Sequence, residues 1–186
     1  MRLHLAAVPH TITAPEFSHC AFTGKVPRFS PMMRCQGYEV FHYGVEGSES
    51  GGRNVDILTR EEWDQLRLES HRQLYPDREI TPQDFVGDLA NTGTVLYKEF
   101  NRRFRQALLE HYRDGDIVCL PFGEAHREAI EGLGVLAVES GIGYPTSFLP
   151  FRIYESHAQK AWACGRENQS PHNYWFVCPN FSDVSE

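Results

Sequence analysis

The sequence lacks the long apolar run that would cross a membrane. No window approaches the roughly 20 consecutive apolar residues that a membrane helix needs. Residues 1–9 carry one positive side chain and an apolar stretch too short for a secretory signal peptide. A basic excess is also lacking, because 18 Lys and Arg stand against 25 Asp and Glu, for a net charge of -7. That balance argues against a general nucleic-acid-binding surface, although it leaves room for a local basic patch.

Paired cysteines are absent as well. The five cysteines are scattered, odd in number and never arranged as a CxxC pair. This spacing favours reduced, mostly buried thiols over disulfides or a zinc site, and it is typical of cytoplasmic proteins. We therefore expect a cytoplasmic location.

Several signatures of catalysis and cofactor binding are missing. No GxGxxG follows the first predicted strand, which ends at Pro9-His10-Thr11, so the sequence has no standard dinucleotide fingerprint. No P-loop motif is present, and no Gly-x-Ser-x-Gly elbow provides the nucleophile of an α/β-hydrolase. The nine histidines show no HExxH or HxH spacing, so we predict no metal site and no bound cofactor.

The sequence has enough hydrophobic residues to form the core of one domain of ordinary size. Of the 186 residues, 41% are hydrophobic and 12% aromatic, which excludes a disordered chain. We treat residues 1–186 as a single domain. Predicted helices alternate with five predicted strands, at residues 3–8, 38–43, 117–120, 135–139 and 174–178. That order predicts an α/β fold, a Rossmann-like three-layer sandwich with a mainly parallel sheet and helices on both faces.

Helix signals are clear in several segments. Residues 21–35 favour a helix, in which Pro27 and Pro31 must lie near the first turns or kink the chain. Gly37 is a plausible cap for that helix, and Thr59 opens a capping box. The other segments predicted as helical are 60–69, 94–112, 125–131 and 152–164. Residues 45–52 are expected to form a flexible acidic loop, and residues 70–93 an irregular excursion.

One stretch, residues 135–144, organises the rest of the chain. An apolar run ends in a carboxylate, a hydroxyl and two glycines, at Glu139, Ser140, Gly141 and Gly143. A buried parallel strand delivers polar groups to the edge of its sheet in this way, and ligands bind in the crevice beyond that edge. The alternative is an ordinary strand turn in which Glu139 is a solvated loop acid. The segment alone leaves both interpretations open.

Five elements in order along the chain resemble a known family. They are Pro9-His10-Thr11 with residues 17–23; residues 37–44; Glu139-Ser140-Gly141-Ile142-Gly143-Tyr144; Arg152-Ile153-Tyr154-Glu155-Ser156; and residues 177–183. This layout is similar to the N-terminal half of GT-B fold glycosyltransferases, particularly bacterial and phage members related to the family 1 and 4 groups. The resemblance implies a hexosyltransferase in which two Rossmann-like domains face each other across a cleft.

The resemblance also implies a division of labour between those two domains. The N-terminal domain mainly binds the acceptor, and the C-terminal domain holds most contacts to the nucleotide-diphosphate sugar, which is a co-substrate and not a cofactor. The sequence stops about where the interdomain linker would begin. We place that linker at residues 179–186, with Asn180 at the hinge, and we expect the isolated chain to be inactive.

The candidate catalytic residues are His10 and Glu139. A histidine with an ordinary pKa can act as a general base on an acceptor hydroxyl, and His10 follows the first predicted strand. Glu139 is predicted to bind sugar hydroxyls or to orient His10. The alternatives are an exposed loop histidine and a carboxylate that anchors neighbouring backbone amides. The candidate substrate-binding residues are Glu16, His19, Ser140, Gly141, Gly143, Tyr144, Arg152, Glu155 and Ser156.

Some of these substrate-binding roles have specific alternatives. Tyr144 is predicted to stack on a sugar or base, or else to be a core tyrosine. Arg152, Glu155 and Ser156 are predicted to begin a helix whose positive end suits an anionic group. Otherwise Arg152 and Glu155 form only a surface pair three residues apart.

Two functions remain open from the sequence. The first is the acceptor-binding domain of a glycosyltransferase, with a nucleotide sugar, a hydroxylated acceptor and a C-terminal donor-binding domain as its partners. The second is a free-standing, non-catalytic module that binds a nucleotide or sugar nucleotide, either as a monomer or as a homodimer. The acidic balance disfavours DNA as an acceptor, while the arginines of residues 94–112 keep it open.

Overall fold

Seven strands and five helices make up the fold within residues 1–79 and 91–178, the part of the chain that this computed structural model describes. The strands are β1 (Arg2–Ala6), β2 (Glu39–Val45), β3 (Arg53–Leu58), β4 (Ile117–Leu120), β5 (Ala137–Ile142), β6 (Phe151–Tyr154) and β7 (Trp175–Val177). The helices are α1 (Ala21–Cys35), α2 (Arg60–Leu74), α3 (Val95–His111), α4 (Arg127–Ile130) and α5 (His157–Glu167). The predicted linker, residues 179–186 with Asn180, lies outside the described residues.

The strands form one sheet in the order β3-β2-β1-β4-β5-β6-β7, and each neighbouring pair is parallel. This confirms the predicted α/β class and the Rossmann-like sandwich. Because all the strands point the same way, their carboxyl ends meet at one edge of the sheet. That edge is where the loops after β1, β4 and β5 come together.

The two faces of the sheet are covered unequally by the described helices. On one face, buried residues of β1, β2 and β4 form a cluster with buried residues of α2, α3 and α4. α5 packs on the same face, because Arg152 of β6 is in register with Glu139 of β5 and Leu120 of β4, and it forms an ion pair with Glu167 of α5. On the opposite face, α1 places Val26 against Leu3, Leu5 and neighbouring strand residues. Among the described helices, α1 alone covers that second face.

Two of the seven strands were not predicted from the sequence. β3 is an edge strand whose first residues, Arg53 and Asn54, are exposed, so the segment has no continuous apolar run. β6 has only four residues and lies largely inside the segment predicted as helical, 152–164. The helix prediction is therefore wrong for its first residues, because a short strand comes before α5.

α5 begins one turn later than predicted. Ser156 is its N-cap, and the Ser156 Oγ accepts a hydrogen bond from the Gln159 amide at 3.0 Å. Arg152 and Glu155 precede this cap, so the prediction that they begin a helix is wrong. They also do not pair with each other: Arg152 pairs with Glu167, and Glu155 pairs with a lysine on α1.

α1 runs as one helix through both of its prolines. Pro27 and Pro31 lie inside it and not at its first turn. Gly37 closes the helix with φ +84°, a conformation that favours glycine, so its prediction as a cap is confirmed. The Gly37 amide donates to the Arg34 carbonyl at 2.9 Å, which satisfies one of the helix's last carbonyl groups.

The capping box predicted at the start of α2 is present. The Glu62 amide donates to Thr59 Oγ1 at 3.2 Å, and the Thr59 amide donates to the Glu62 carboxylate at 2.9 Å. Glu62 also forms an ion pair with Arg103 of α3 at 2.8 Å, so the same carboxylate ties α2 to α3.

Replacing the cap residue, Thr59→Ala, should lower the free energy of unfolding by about 1 kcal/mol, because the first turn of α2 loses its side-chain acceptor. Urea denaturation measures this difference. Thr59→Ser is the matched control and should stay close to the parent protein, since it keeps the hydroxyl. Equal stabilities for the two variants would contradict the cap.

The acidic segment between β2 and β3 is a short crossover held by hydrogen bonds. It joins two parallel strands with residues 46–52, whereas such connections usually take a dozen or more residues. Asn54 is the centre of its support. The Asn54 side chain donates to the Ser48 carbonyl and accepts from Ser50 Oγ at 2.6 Å, and it lies 3.2 Å from His42 Nδ1.

No helix in the described ranges is long and apolar enough to cross a membrane. All five cysteines are free thiols, as the sequence predicts. Their burial differs from the prediction, because only Cys119 is buried, while Cys35 is exposed and the other three are partly exposed.

Candidate functional site

The crevice at the carboxyl edge of the sheet is the candidate site. The strand order reverses between β1 and β4, so the chain leaves β1 towards α1 on one face and leaves β4 towards α4 on the other. Ligands of open α/β sheets bind at such a reversal, because the two departing loops leave a gap between them. Most of the predicted site residues belong to the segments that follow β1, β5 and β6.

His10 lies in the loop after β1 and is 6% exposed, not an exposed loop histidine. Its Nδ1 lies 2.8 Å from the hydroxyl of Tyr97 on α3, and its Nε2 lies 3.4 Å from the thiol of Cys20, the N-cap residue of α1. Burial lowers the pKa of His10 to about 4, so the prediction of an ordinary pKa is wrong, and the imidazole is neutral at neutral pH. A neutral ring has one nitrogen free to accept a proton.

Glu139 lies within β5 and not at its end. The strand continues to Ile142 through a bulge at Gly141, where φ is +78°, and Glu139 is fully buried. The prediction that this carboxylate ends a strand is therefore wrong. The extra strand length depends on a glycine, because the bulge requires a positive φ in the middle of the run.

The contacts of Glu139 are with its own neighbourhood. One carboxylate oxygen accepts hydrogen bonds from the amides of Phe148 and Leu149, at 2.7 and 2.8 Å. The other accepts from the Tyr144 hydroxyl at 2.7 Å, and that hydroxyl in turn accepts from the Gly123 amide at 2.9 Å. Burial raises the pKa of Glu139, while the hydrogen bonds act in the opposite direction. These contacts match the alternative interpretation, an anchor for backbone amides, and the catalytic role stays a prediction.

Tyr144 packs as a core tyrosine. It is 6% exposed, and its ring meets the ring of Phe122 edge to face, with centroids 5.7 Å apart. Phe22 of α1 lies on another side of it, at 6.1 Å. Through the hydrogen bond from the Gly123 amide to its hydroxyl, Tyr144 joins the loop after β4 to the segment after β5. Stacking of Tyr144 on a ligand stays a prediction.

A second group of predicted residues meets at the start of α1. Lys25 donates to the Gly141 carbonyl at 2.8 Å and forms an ion pair with Glu155, which follows β6. Gly143 lies against the Glu155 carboxylate so closely that a Cβ there would overlap it. Ser140 is 8% exposed and lies on the α1 face of the sheet. The structure therefore brings Ser140, Gly141, Gly143 and Glu155 together around one lysine.

The remaining predicted residues lie apart from that group. Arg152 is 8% exposed on the α5 face, where it pairs with Glu167 at 2.8 Å and lies over the Trp175 ring. Ser156 caps α5. Glu16 and His19 are exposed in the loop that leads from β1 to α1.

Three residues of this edge were missed by sequence reasoning: Cys20, Lys25 and Tyr97. Each is distant in sequence from at least one of its partners, so no local motif signals the contact. The N-cap position of Cys20 is a weak local signal, since it follows from the start of the predicted helix.

Within the described ranges, no group of three or more His, Cys, Asp or Glu side chains is placed to hold a metal ion. The chain matches no protein-family model, and no curated protein is significantly similar to it in sequence.

Proposed function

We propose that this chain is the acceptor-binding domain of a GT-B glycosyltransferase. Together with a donor-binding domain, it transfers a sugar from a nucleotide-sugar donor to a hydroxylated acceptor, in the cytoplasm. The observation that carries the proposal is the position of His10, a neutral and nearly buried imidazole beside the strand-order reversal of a parallel sheet. The scattered free thiols are in keeping with the cytoplasmic location.

His10 is the proposed general base. The hydroxyl of buried Tyr97 forms a hydrogen bond with Nδ1 of His10. Nε2 lies next to the thiol of Cys20, which is partly exposed. An acceptor hydroxyl takes the place of the Cys20 thiol as the partner of Nε2. It gives up its proton to Nε2 as its oxygen bonds to the anomeric carbon of the sugar, and the bond from that carbon to the nucleoside diphosphate breaks. The exposed residues Glu16 and His19 lie in the same loop and contact the hydroxyl groups of the acceptor.

The parallel sheet supports a facing second domain. β7 ends at the carboxyl edge, so the chain leaves the sheet on the side where His10 and Glu155 lie. A donor-binding domain joined after β7 would face the crevice across a cleft. In this arrangement the acceptor hydroxyl meets the nucleotide sugar at the edge of the sheet.

The test of the catalytic role uses the product of the complete reading frame, a panel of nucleotide sugars and a panel of glycans, with release of the nucleoside diphosphate as the signal. His10→Gln should lower kcat by about 100-fold or more, since a positioned base contributes about that factor. kcat/KM of the parent should stay level as the pH falls from neutrality to about 6, where the protein is still folded, because a base with a pKa of about 4 remains unprotonated there.

The control is His157→Gln, which changes an exposed histidine at the start of α5 and should leave kcat unchanged. Equal rates for His10→Gln and the parent would refute His10 as the base. Saturable binding of a nucleotide sugar to residues 1–186 alone, seen as a rise in melting temperature, would instead favour the non-catalytic module.

A further inference from the structure

A groove between α1 and the sheet lies on the face that α1 alone covers among the described helices. α1 contributes Val26, Phe29 and Met33 to its wall, and the floor consists of strand residues. The floor residues are Leu3 and Leu5 of β1, Cys119 of β4, Val138 of β5 and Ile153 of β6. The groove has a volume of about 300 Å³. A dry cavity of about 150 Å³ takes a benzene molecule, so this one has room for about ten non-hydrogen atoms.

The groove contains all three methionines of the chain, Met1, Met32 and Met33. Methionine side chains are unbranched and polarisable, and they adapt to ligands of variable shape. This wall suits a flexible aliphatic chain better than a rigid ring.

The charge at the rim is of the opposite sign to that of the whole chain. Lys25 and Arg28, three residues apart on α1, are the cations of the lining, and Glu155 is its carboxylate. The lining thus carries a net positive charge within a protein whose net charge is -7. Arg28 is exposed, so its guanidinium is accessible at the mouth of the groove.

We propose that this groove binds an anionic amphiphile, a fatty carboxylate with a chain of about ten carbons. The aliphatic chain lies along the methionines and the strand residues, and the carboxylate meets Arg28 and Lys25 at the rim. Arg28 can hold a carboxylate through two parallel hydrogen bonds. The groove shares Lys25, Ser140, Gly141 and Glu155 with the carboxyl edge, but His10 does not line it, so binding here does not depend on the proposed transfer reaction.

The test uses the three methionines as reporters. Protein labelled with carbon-13 at the methionine methyl groups is titrated with decanoate and, separately, with decanol, and Met32→Leu and Met33→Leu identify the signals. The Met32 and Met33 signals should shift and saturate with decanoate at micromolar concentrations. Signals that stay in place would overturn the proposal.

Arg28→Gln tests the head group. It should weaken decanoate binding about 2- to 5-fold, as expected for an exposed ion pair, and leave decanol binding unchanged. Arg34→Gln is the matched control, an exposed arginine on the same helix outside the groove, and should change neither. Equal effects of the two variants would overturn the assignment of the carboxylate to Arg28. Methionine signals that respond to protein concentration and not to decanoate would overturn the proposal in favour of a second copy of the chain.

Discussion

Acidification from neutral pH to about pH 5 is expected to lower the free energy of unfolding by at least about 6 kcal/mol, because His10, His42 and His126 must stay neutral in the folded protein. Burial also lowers the pKa of His4, which adds to the loss in the same direction. His10, His42 and His126 are 6%, 0% and 0% exposed. Burial lowers their pKa values to about 4, about 4 and about 3. Above about pH 4, these histidines therefore bind a proton only after the chain has unfolded.

The sign of the pH effect on stability follows from comparing the pKa values of the folded protein with those of the unfolded chain. Each folded pKa lies below the value of about 6.5 in the unfolded chain, so stability is complete above that pH and falls as the pH drops towards 4. Within this window each histidine costs about 1.4 kcal/mol per pH unit. Domains have only about 5–15 kcal/mol in total, so we expect unfolding close to pH 5.

Urea denaturation at several pH values measures the slope of stability against pH. His10→Gln should reduce that slope by about a quarter to a third, whatever it does to stability at neutral pH, since one of the three or four protons taken up on unfolding no longer binds. His157→Gln, which changes an exposed histidine, should leave the slope unchanged. A flat profile between pH 7 and about 5 would contradict the burial of neutral histidines.

Glu139→Ala should lower the free energy of unfolding by about 4 kcal/mol, which would make it the most damaging single substitution at the carboxyl edge. The change leaves the amides of Phe148 and Leu149 and the hydroxyl of Tyr144 without their buried acceptor. It also opens a cavity beside Gly123, where the Glu139 carboxyl carbon would lie only 2.5 Å from an added Cβ.

Two control variants separate the loss of the hydrogen bonds to Glu139 from the loss of a negative charge. Glu139→Gln keeps an oxygen for the two amides and should cost about 1–2 kcal/mol. Glu155→Ala removes a partly exposed carboxylate that pairs with Lys25, and should cost about 1 kcal/mol or less. Urea denaturation of all three variants gives the comparison. Equal losses for Glu139→Ala and Glu155→Ala would show that Glu139 is no anchor. A folded but inactive Glu139→Gln enzyme would restore its catalytic candidacy.

The elements that the sequence predicts well are those with a local physical signal. The capping box at Thr59 needs only a hydroxyl and a carboxylate three residues apart, and the cap at Gly37 needs only freedom for a positive φ. β1, β2 and β4 are buried apolar runs bounded by turn residues. Such local signals do not depend on contacts with distant segments of the chain.

The elements that the sequence misses depend on distant contacts. β3 starts with the exposed residues Arg53 and Asn54, and it is a strand because β2 offers it a hydrogen-bonding edge. β6 lies between β5 and β7, and four residues with an arginine among them give little local indication of a buried strand.

The sequence predicts the candidate site only in part, because the site also depends on contacts between distant segments. The pivotal stretch does reach the carboxyl edge, but Glu139 lies one bulge away from the end of its strand. His10 follows β1 as expected, while its burial comes from Tyr97, whose position on α3 no local pattern near His10 reveals. Contacts between distant segments decide which polar side chains face a ligand and which anchor the fold.

Because all the strands run in the same direction, the edge of the sheet that faces the solution depends on which end of the chain is attached to a surface. β1 starts at the amino edge and β7 finishes at the carboxyl edge, so attachment points at the two ends of the described chain lie on opposite sides. A biosensor surface coupled through an N-terminal tag would hold the crevice towards the solution. Coupling through a tag after β7 would press that crevice against the surface and slow the entry of any macromolecular acceptor.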